Sequence, residues 1–143
     1  MKKFEINNQN QIQNENCICD NCAKCCFETE MELSNEDIAR IERLNPWGLK
    51  KHDFCIYLES FYVLKNINGH CIFLNDKNLK CKIYEYRPTG CKFYPLMYDL
   101  NKDKCKMDSL CPKRHEFYPD LTKIKIYCNE LKKWIQNELY ISK

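Results

Sequence analysis

Glycine, long apolar runs and net charge are all scarce in this chain of 143 residues. The three glycines, Gly48, Gly69 and Gly90, are isolated from one another, so they cannot build a phosphate-cradling or dinucleotide-binding loop. No stretch approaches the ~20 apolar residues of a transmembrane helix, so we expect no membrane partner. The net charge of +3 is too small to indicate binding to nucleic acid.

The N-terminus lacks the features of a secretory signal peptide. Residues 1–6 are followed directly by Asn and Gln, without an apolar segment or a small-residue cleavage site. We therefore expect a cytoplasmic protein, in which thiols stay reduced. The twelve cysteines are then expected to bind metal or to do chemistry rather than to form disulfides.

Four cysteines lie close together and dominate the sequence. Cys19, Cys22, Cys25 and Cys26 form two overlapping C-x-x-C pairs and one adjacent pair, called the cysteine nest below. Each C-x-x-C pair suits a tight turn that directs two sulfurs at one ion. Adjacent side chains point apart, so a single tetrahedral ion would not easily collect all four. The nest is therefore predicted to supply part of a cluster, or parts of two sites.

Cysteines further along the chain can complete such a site. The candidates are Cys71, Cys81, Cys91, Cys105 and Cys111. Cys17 is either a ligand or a spare thiol. Cys128 lies on the apolar face of a predicted helix and is interpreted as a buried small hydrophobic residue outside the metal set.

The hydrophobic pattern predicts a small α+β domain. Ser34 is a candidate N-cap with Asp37 at the third helical position, and the helix that they begin should end at Asn45-Pro46. Asn68-Gly69 predicts a hairpin turn, giving a short antiparallel meander from strands at 61–64, 70–74 and 79–84. The apolar residues of 120–140 recur at three- and four-residue steps, which predicts a long amphipathic C-terminal helix. We expect residues 1–16 to be a disordered polar arm and residues 17–143 to be one domain held together by metal.

Arg87 is the charged residue whose position is most constrained by its neighbours. It precedes Pro88, in a segment predicted to be a rigid connector that ends at Pro95. Gly90, just before Cys91, would permit a sharp turn or a close approach of backbones. The histidines His52, His70 and His115 have no recognisable catalytic partner. His70 is interpreted as a solvent-facing strand residue.

Three ordered motifs resemble a known family. They are Cys19-x-x-Cys22-x-x-Cys25-Cys26, Gly69-x-Cys71-x-Phe73-Leu74, and Cys81-x-Ile83-Tyr84-x-x-Arg87-Pro88-x-x-Cys91-x-x-Tyr94-Pro95. The pattern is similar to that of the CxxCxxCC (YkgJ-type) proteins, small cysteine-cluster proteins described as zinc- or iron-chelating. Flagellin lysine N-methylases share the cysteine pattern, and that resemblance implies an iron–sulfur cluster and methyl transfer from S-adenosylmethionine. Those enzymes are much longer than this chain.

The occupant predicted for the site is an iron–sulfur cluster, with 4Fe–4S favoured over zinc or iron ions. The resemblance implies seven ligands, to which Cys111 is added with Cys105 as its alternative: Cys19, Cys22, Cys25, Cys26, Cys71, Cys81 and Cys91. Eight sulfurs would satisfy two four-cysteine sites, whereas seven would leave one metal position open. Arg87 is predicted to face this anionic site and to neutralise its charge, or else to bind a substrate carboxylate there. Two functions follow: redox or group-transfer chemistry, including protein modification, or a zinc-stabilised binding module without enzymatic activity. The sequence names no substrate and no protein or small-molecule partner.

Overall fold

A computed structural model describes residues 26–27 and 30–139 of the chain. It confirms the α+β class, with short helices, small antiparallel sheets and a long C-terminal helix. Within these residues, no helix has both the length and the apolar character needed to cross a membrane. The helices are α1 (Asn35–Leu44), α2 (Lys51–Phe54), α3 (Thr89–Phe93), α4 (Arg114–Phe117) and α5 (Leu121–Trp134). The strands are β1 (Glu32–Leu33), β2 (Cys55–Leu58), β3 (Phe61–Leu64), β4 (Asn66–Ile67), β5 (His70–Cys71), β6 (Leu74–Asn75), β7 (Lys80–Cys81), β8 (Leu96–Asp99) and β9 (Lys104–Met107).

Helix α1 begins as its sequence predicts. Ser34 is the N-cap, and its hydroxyl oxygen accepts a hydrogen bond from the Asp37 amide at 3.1 Å. The Asp37 carboxylate accepts the Ser34 amide in return, at 3.2 Å, which completes a capping box. Ile38 and Ile41 are buried as expected, but Leu44 is exposed, because the helix ends there, at the protein surface.

The turn at Asn68-Gly69 is confirmed, but the strands around it differ from the prediction. Both turn residues have positive φ, at 55° and 84°, as a tight hairpin requires. The hairpin joins β4 to β5, whereas β3 pairs with β1 and β2 in a separate three-stranded sheet. A further pair, β6 with β7, replaces the third strand of the predicted meander.

The segment from Arg87 to Pro95, predicted as a rigid connector, includes a short helix. It contains α3, which follows Pro88, and it ends in a cis peptide bond between Tyr94 and Pro95. Gly90 allows a close approach to a side chain rather than to backbone, because a Cβ atom there would lie 2.5 Å from Met31 Sδ. Helix α3 therefore packs directly against the chain just before β1.

The C-terminal helix α5 is capped by Asp120 and continues as a π-helical turn at Ile135–Leu139. Leu131, Trp134 and Leu139 are buried, as the amphipathic pattern predicts, whereas Leu121 in the first turn is exposed. The interpretation of Cys128 as a buried hydrophobic residue is wrong. It is only partly buried, and it forms a disulfide with Cys105 of β9.

The buried side chains form two core clusters. The first core is formed by residues of α1, α2 and the strands β1, β2, β3, β5 and β6. The second core joins α3 and β8 to α5 and the π-helical turn. Buried members of the first core are Leu33, Ile38, Ile41, Phe54, Cys55, Leu64, Cys71, Phe73, Leu74 and Ile83. Those of the second core are Phe93, Leu96, Tyr118, Leu131, Trp134 and Leu139.

Candidate metal centre

The predicted ligands fall into two groups according to what the structure describes. Cys19, Cys22 and Cys25 lie outside the described residues, so their role as ligands stays a prediction. The ligands that can be placed are Cys26, Cys71, Cys81, Cys91 and Cys111, which come from different parts of the chain.

A backbone contact brings the end of the cysteine nest to Cys71. Phe27 forms an antiparallel bridge with His70, and their rings meet edge to face with centroids 6.1 Å apart. Cys26 and Cys71 are the chain neighbours of the two bridged residues. Both reach the first core, where Cys26 packs at its edge and Cys71 is buried.

The sulfur of Cys71 accepts a hydrogen bond from the backbone amide of Phe73, two residues further on, at 3.4 Å. An amide donor stabilises negative charge on sulfur, as a metal-bound thiolate requires.

Cys55 is a useful contrast, since it is equally buried in the same core. Its sulfur instead donates to the carbonyl of Lys51 at 3.1 Å, and burial raises the pKa of its thiol to about 11. Cys55 is therefore held as a neutral thiol, although the sequence alone does not separate the two residues.

Cys81 reaches the same core from β7. Its partner across the β6–β7 pair is Leu74, a buried member of the first core. Cys81 itself is partly buried against that core. Cys26, Cys71 and Cys81 come from the three motifs, one from each, and all three lie in or against the first core.

Cys91 lies in α3, and both of its preceding neighbours are fixed to the first half of the chain. Thr89 donates two hydrogen bonds to the Asp37 carboxylate of α1, from its amide at 3.1 Å and from its hydroxyl at 2.8 Å. Gly90 packs against Met31, which borders the first core. The local sequence indicates only the capping role of Asp37, because nothing near it points to a partner 52 positions away.

Cys111 and its alternative, Cys105, differ in whether they form a disulfide. Cys105 is joined to Cys128, with Cα atoms 6.0 Å apart, in the single disulfide found among the described residues. Cys111 is buried in a loop that is hydrogen-bonded to the end of the third motif. The Tyr94 hydroxyl donates to the Asp108 carboxylate at 2.5 Å, and the Asp108 amide donates to the carbonyl of Pro95 at 2.8 Å.

Arg87 is buried, with 7% of its surface exposed. Its Nη1 donates to the Tyr84 carbonyl at 2.7 Å, and its guanidinium carbon lies 3.9 Å from the centroid of the Tyr84 ring. Among the described residues, no carboxylate forms an ion pair with Arg87. A buried cation without a paired anion is costly, so this guanidinium is available to an anionic group nearby.

The three histidines lie on separate elements, α2, β5 and α4. The interpretation of His70 as solvent-facing is wrong, since its side chain is only 12% exposed. It lies beneath Phe27, and its Nδ1 is 2.9 Å from the Cys71 carbonyl oxygen. His52 and His115 are exposed. In the part of the chain that can be placed, no three or more His, Cys, Asp or Glu side chains form a group that could hold a metal ion. A complete ligand set would therefore need cysteines of the nest.

Comparison with known proteins supports the metal-binding interpretation. The model of the CxxCxxCC family, described as a "putative zinc- or iron-chelating domain", matches residues 18–129. The chain belongs to the CxxCxxCC family. It is also 33% identical over 98 residues to an uncharacterized protein of Methanocaldococcus jannaschii, MJ0661, covering 62% of this chain and 51% of that protein. The chain thus spans about half the length of this relative. No solved structure matches the chain.

Proposed function

We propose that this CxxCxxCC protein binds metal through the thiolates of the cysteine nest together with cysteines of the two later motifs. The observation that carries the proposal is that Cys26, Cys71 and Cys81, one from each motif, all lie in or against the first core. These residues are far apart in sequence, and the fold brings them to the same core. The proposed ligands are Cys19, Cys22, Cys25, Cys26, Cys71, Cys81, Cys91 and Cys111.

The polar groups around these sulfurs suit an anionic site. The Phe73 amide already donates to Cys71 Sγ. The buried guanidinium of Arg87 lies only four residues before Cys91. Four thiolates around a zinc ion, or around an oxidised 4Fe–4S cluster, leave a net negative charge that amide donors and cations stabilise. We therefore propose that Arg87 compensates the charge of the metal centre.

We propose an iron–sulfur cluster as the occupant, because thiolates at this density suit such clusters. When bound, a cluster of this kind supplies one-electron redox chemistry. The family description covers zinc as well as iron, and a zinc-stabilised binding module is the second candidate. The relatives reported above do not include a methylase, and methyl transfer is not part of the proposal.

Elemental analysis of protein purified without oxygen tests the proposal. We expect brown protein that contains iron and acid-labile sulfide, with visible absorption from the cluster. Stoichiometric zinc without iron or sulfide, in cells grown with sufficient iron, would exclude the cluster and support the zinc module. Protein that binds neither metal would contradict the proposed function.

A further inference from the structure

One buried carboxylate ties α1 to the segment that contains Arg87 and Cys91. Asp37 has no exposed surface, and its two oxygens accept hydrogen bonds from four donors. Oδ2 accepts the Ser34 amide, and Oδ1 accepts the Arg40 guanidinium at 2.8 Å. The amide and the hydroxyl of Thr89 donate to the same Oδ1. Three of the four donors thus share one oxygen, Oδ1.

Helix capping accounts for only part of this arrangement. The capping box uses only one bond of the Asp37 carboxylate, the one from the Ser34 amide. The three bonds on Oδ1 serve other purposes, and two of them come from Thr89, 52 residues away. Such bonds to a charged, buried acceptor are among the stronger ones in proteins. The two bonds from Thr89 hold this residue against α1 rather than stabilising α1 itself.

Arg40 extends the same network to Arg87. Its Nη2 lies 2.8 Å from Asp37 Oδ1 and donates to the Arg87 carbonyl at 2.9 Å. The backbone is thereby fixed at Arg87 and again at Thr89, on both sides of Pro88. Cys91 follows two residues later, where its amide donates to the Pro88 carbonyl at 3.0 Å. The charge-compensating residue and one proposed ligand are thus positioned by a single clamp.

We propose that Asp37 is a positioning residue of the metal centre, holding Arg87 and Cys91 in place through Thr89 and Arg40; this rests on the proposed function. Groups that orient metal ligands change metal affinity about 10–100-fold when they are removed. Asp37 acts less directly than such groups, because it holds the backbone of α3, the helix that contains Cys91. Loss of the Thr89 bonds would release the first residue of α3 from α1, while its last residue, Phe93, stays in the second core, where its carbonyl accepts the Tyr118 hydroxyl at 2.7 Å.

The test compares variants that break different bonds of Asp37. Thr89→Val removes the hydroxyl donor at nearly constant volume, whereas Thr89→Ser keeps it. Asp37→Asn weakens every bond of the clamp. Ser34→Ala is the matched control, because it removes the N-cap of α1 but leaves Oδ1 and Thr89 untouched. For each full-length protein, purified without oxygen, we would measure the rate at which its metal is lost to excess EDTA, and confirm folding by circular dichroism.

We expect Thr89→Val and Asp37→Asn to lose metal about 10-fold faster or more than wild type. Thr89→Ser and Ser34→Ala should resemble wild type. If Thr89→Val releases metal at the wild-type rate, or if Ser34→Ala accelerates release as much as Thr89→Val, Asp37 is only a structural residue. Should Asp37→Asn fail to fold, the two Thr89 variants and Ser34→Ala decide the matter alone. Wild-type protein without metal would overturn the proposed function first, which distinguishes that failure from failure of the clamp.

Discussion

Two buried cysteines in the same core have opposite hydrogen-bonding roles, and this difference predicts which one binds metal. Cys71 accepts a bond at its sulfur, whereas Cys55 donates one. We expect Cys71→Ala to lose metal and folded protein together, since metal binding and folding are linked. Cys55→Ala removes a sulfur of similar burial, yet should keep its metal and cost only about 1 kcal/mol of stability. Metal content and urea unfolding of both variants measure the two effects.

If Cys55→Ala loses its metal as completely as Cys71→Ala, hydrogen bonding does not separate ligands from bystanders in this core. The variants Cys81→Ala and Cys91→Ala should follow Cys71→Ala, because these residues belong to the same predicted ligand set. Cys128→Ala should retain metal, as its sulfur is joined to Cys105 in the second half of the chain.

Arg87 gives a second prediction at the scale of a single residue. Arg87→Met removes a buried charge that no described carboxylate balances, so the anionic metal centre should lose its compensation. We expect this variant to give up metal to a chelator about 10–100-fold more readily than wild type. Arg87→Lys keeps the charge and should retain most of the metal, although it loses the contact with the Tyr84 ring.

Arg43→Met is the control for Arg87→Met, since Arg43 is an exposed arginine in the last turn of α1. Its metal should be held as in wild type. Chelator competition, followed by metal analysis of the protein fraction, measures all three variants. Wild-type retention by Arg87→Met would indicate that the guanidinium serves another ligand, such as a substrate carboxylate.

At the scale of elements, the sequence predicts where a helix begins and where a tight turn lies, but it does not predict which strands pair. Ser34 and Asp37 predict the start of α1 because a cap depends on residues three positions apart. The β2–β3 hairpin was missed because its turn, at Glu59, uses a left-handed residue that is not glycine or asparagine, with φ of 60°. The turn at Asn68-Gly69 was found, yet its chemistry does not say how far the pairing extends.

The candidate site shows the same division between local and distant information. Spacing alone predicts a metal site at the cysteine nest, since C-x-x-C pairs carry their meaning within four residues. The bonds from Thr89 to Asp37 and the disulfide from Cys105 to Cys128 join residues 52 and 23 positions apart. Such pairings follow from the topology, which no periodicity in a single sequence reveals. Cys128 was assigned to the core because its spacing on α5 suits an apolar stripe.

The disulfide links α5 to the β8–β9 hairpin and gives a prediction at this scale. Its cysteines are 23 residues apart, and closing a loop of that length lowers the entropy of the unfolded chain by an amount worth about 3 kcal/mol. Reduction should therefore lower the free energy of unfolding by roughly that amount. Urea unfolding of metal-loaded protein, with and without a dithiol reductant, measures it.

A variant with both Cys105→Ser and Cys128→Ser is the control, and its stability should not respond to the reductant. Unchanged stability of the wild-type protein on reduction would show that the two thiols are not joined in solution. In the cytoplasm that the sequence predicts, such a pair would be kept reduced. Mapping the alkylated cysteines of freshly lysed cells would therefore also test the predicted location.

For the whole molecule, the two cores should differ in their dependence on metal. Three proposed ligands, Cys26, Cys71 and Cys81, lie in or against the first core. The second core has the disulfide-bonded Cys105 at its edge. A structural zinc site contributes about 10–16 kcal/mol in small peptides, which is comparable to the roughly 5–15 kcal/mol of a whole domain. Removal of metal should therefore unfold the first core.

The second core has its own cross-link, and small folding units commonly persist with one. We therefore expect metal-free protein to lose amide protection in α1 and β3 while keeping it in α5 and β8, as measured by hydrogen exchange. Metal-free protein of the Cys105→Ser, Cys128→Ser variant should lose protection in both cores, because neither cross-link is left. Loss of protection in α5 together with α1, in wild-type protein whose disulfide is intact, would mean that the two cores fold as one unit, and that the metal centre supports the entire chain.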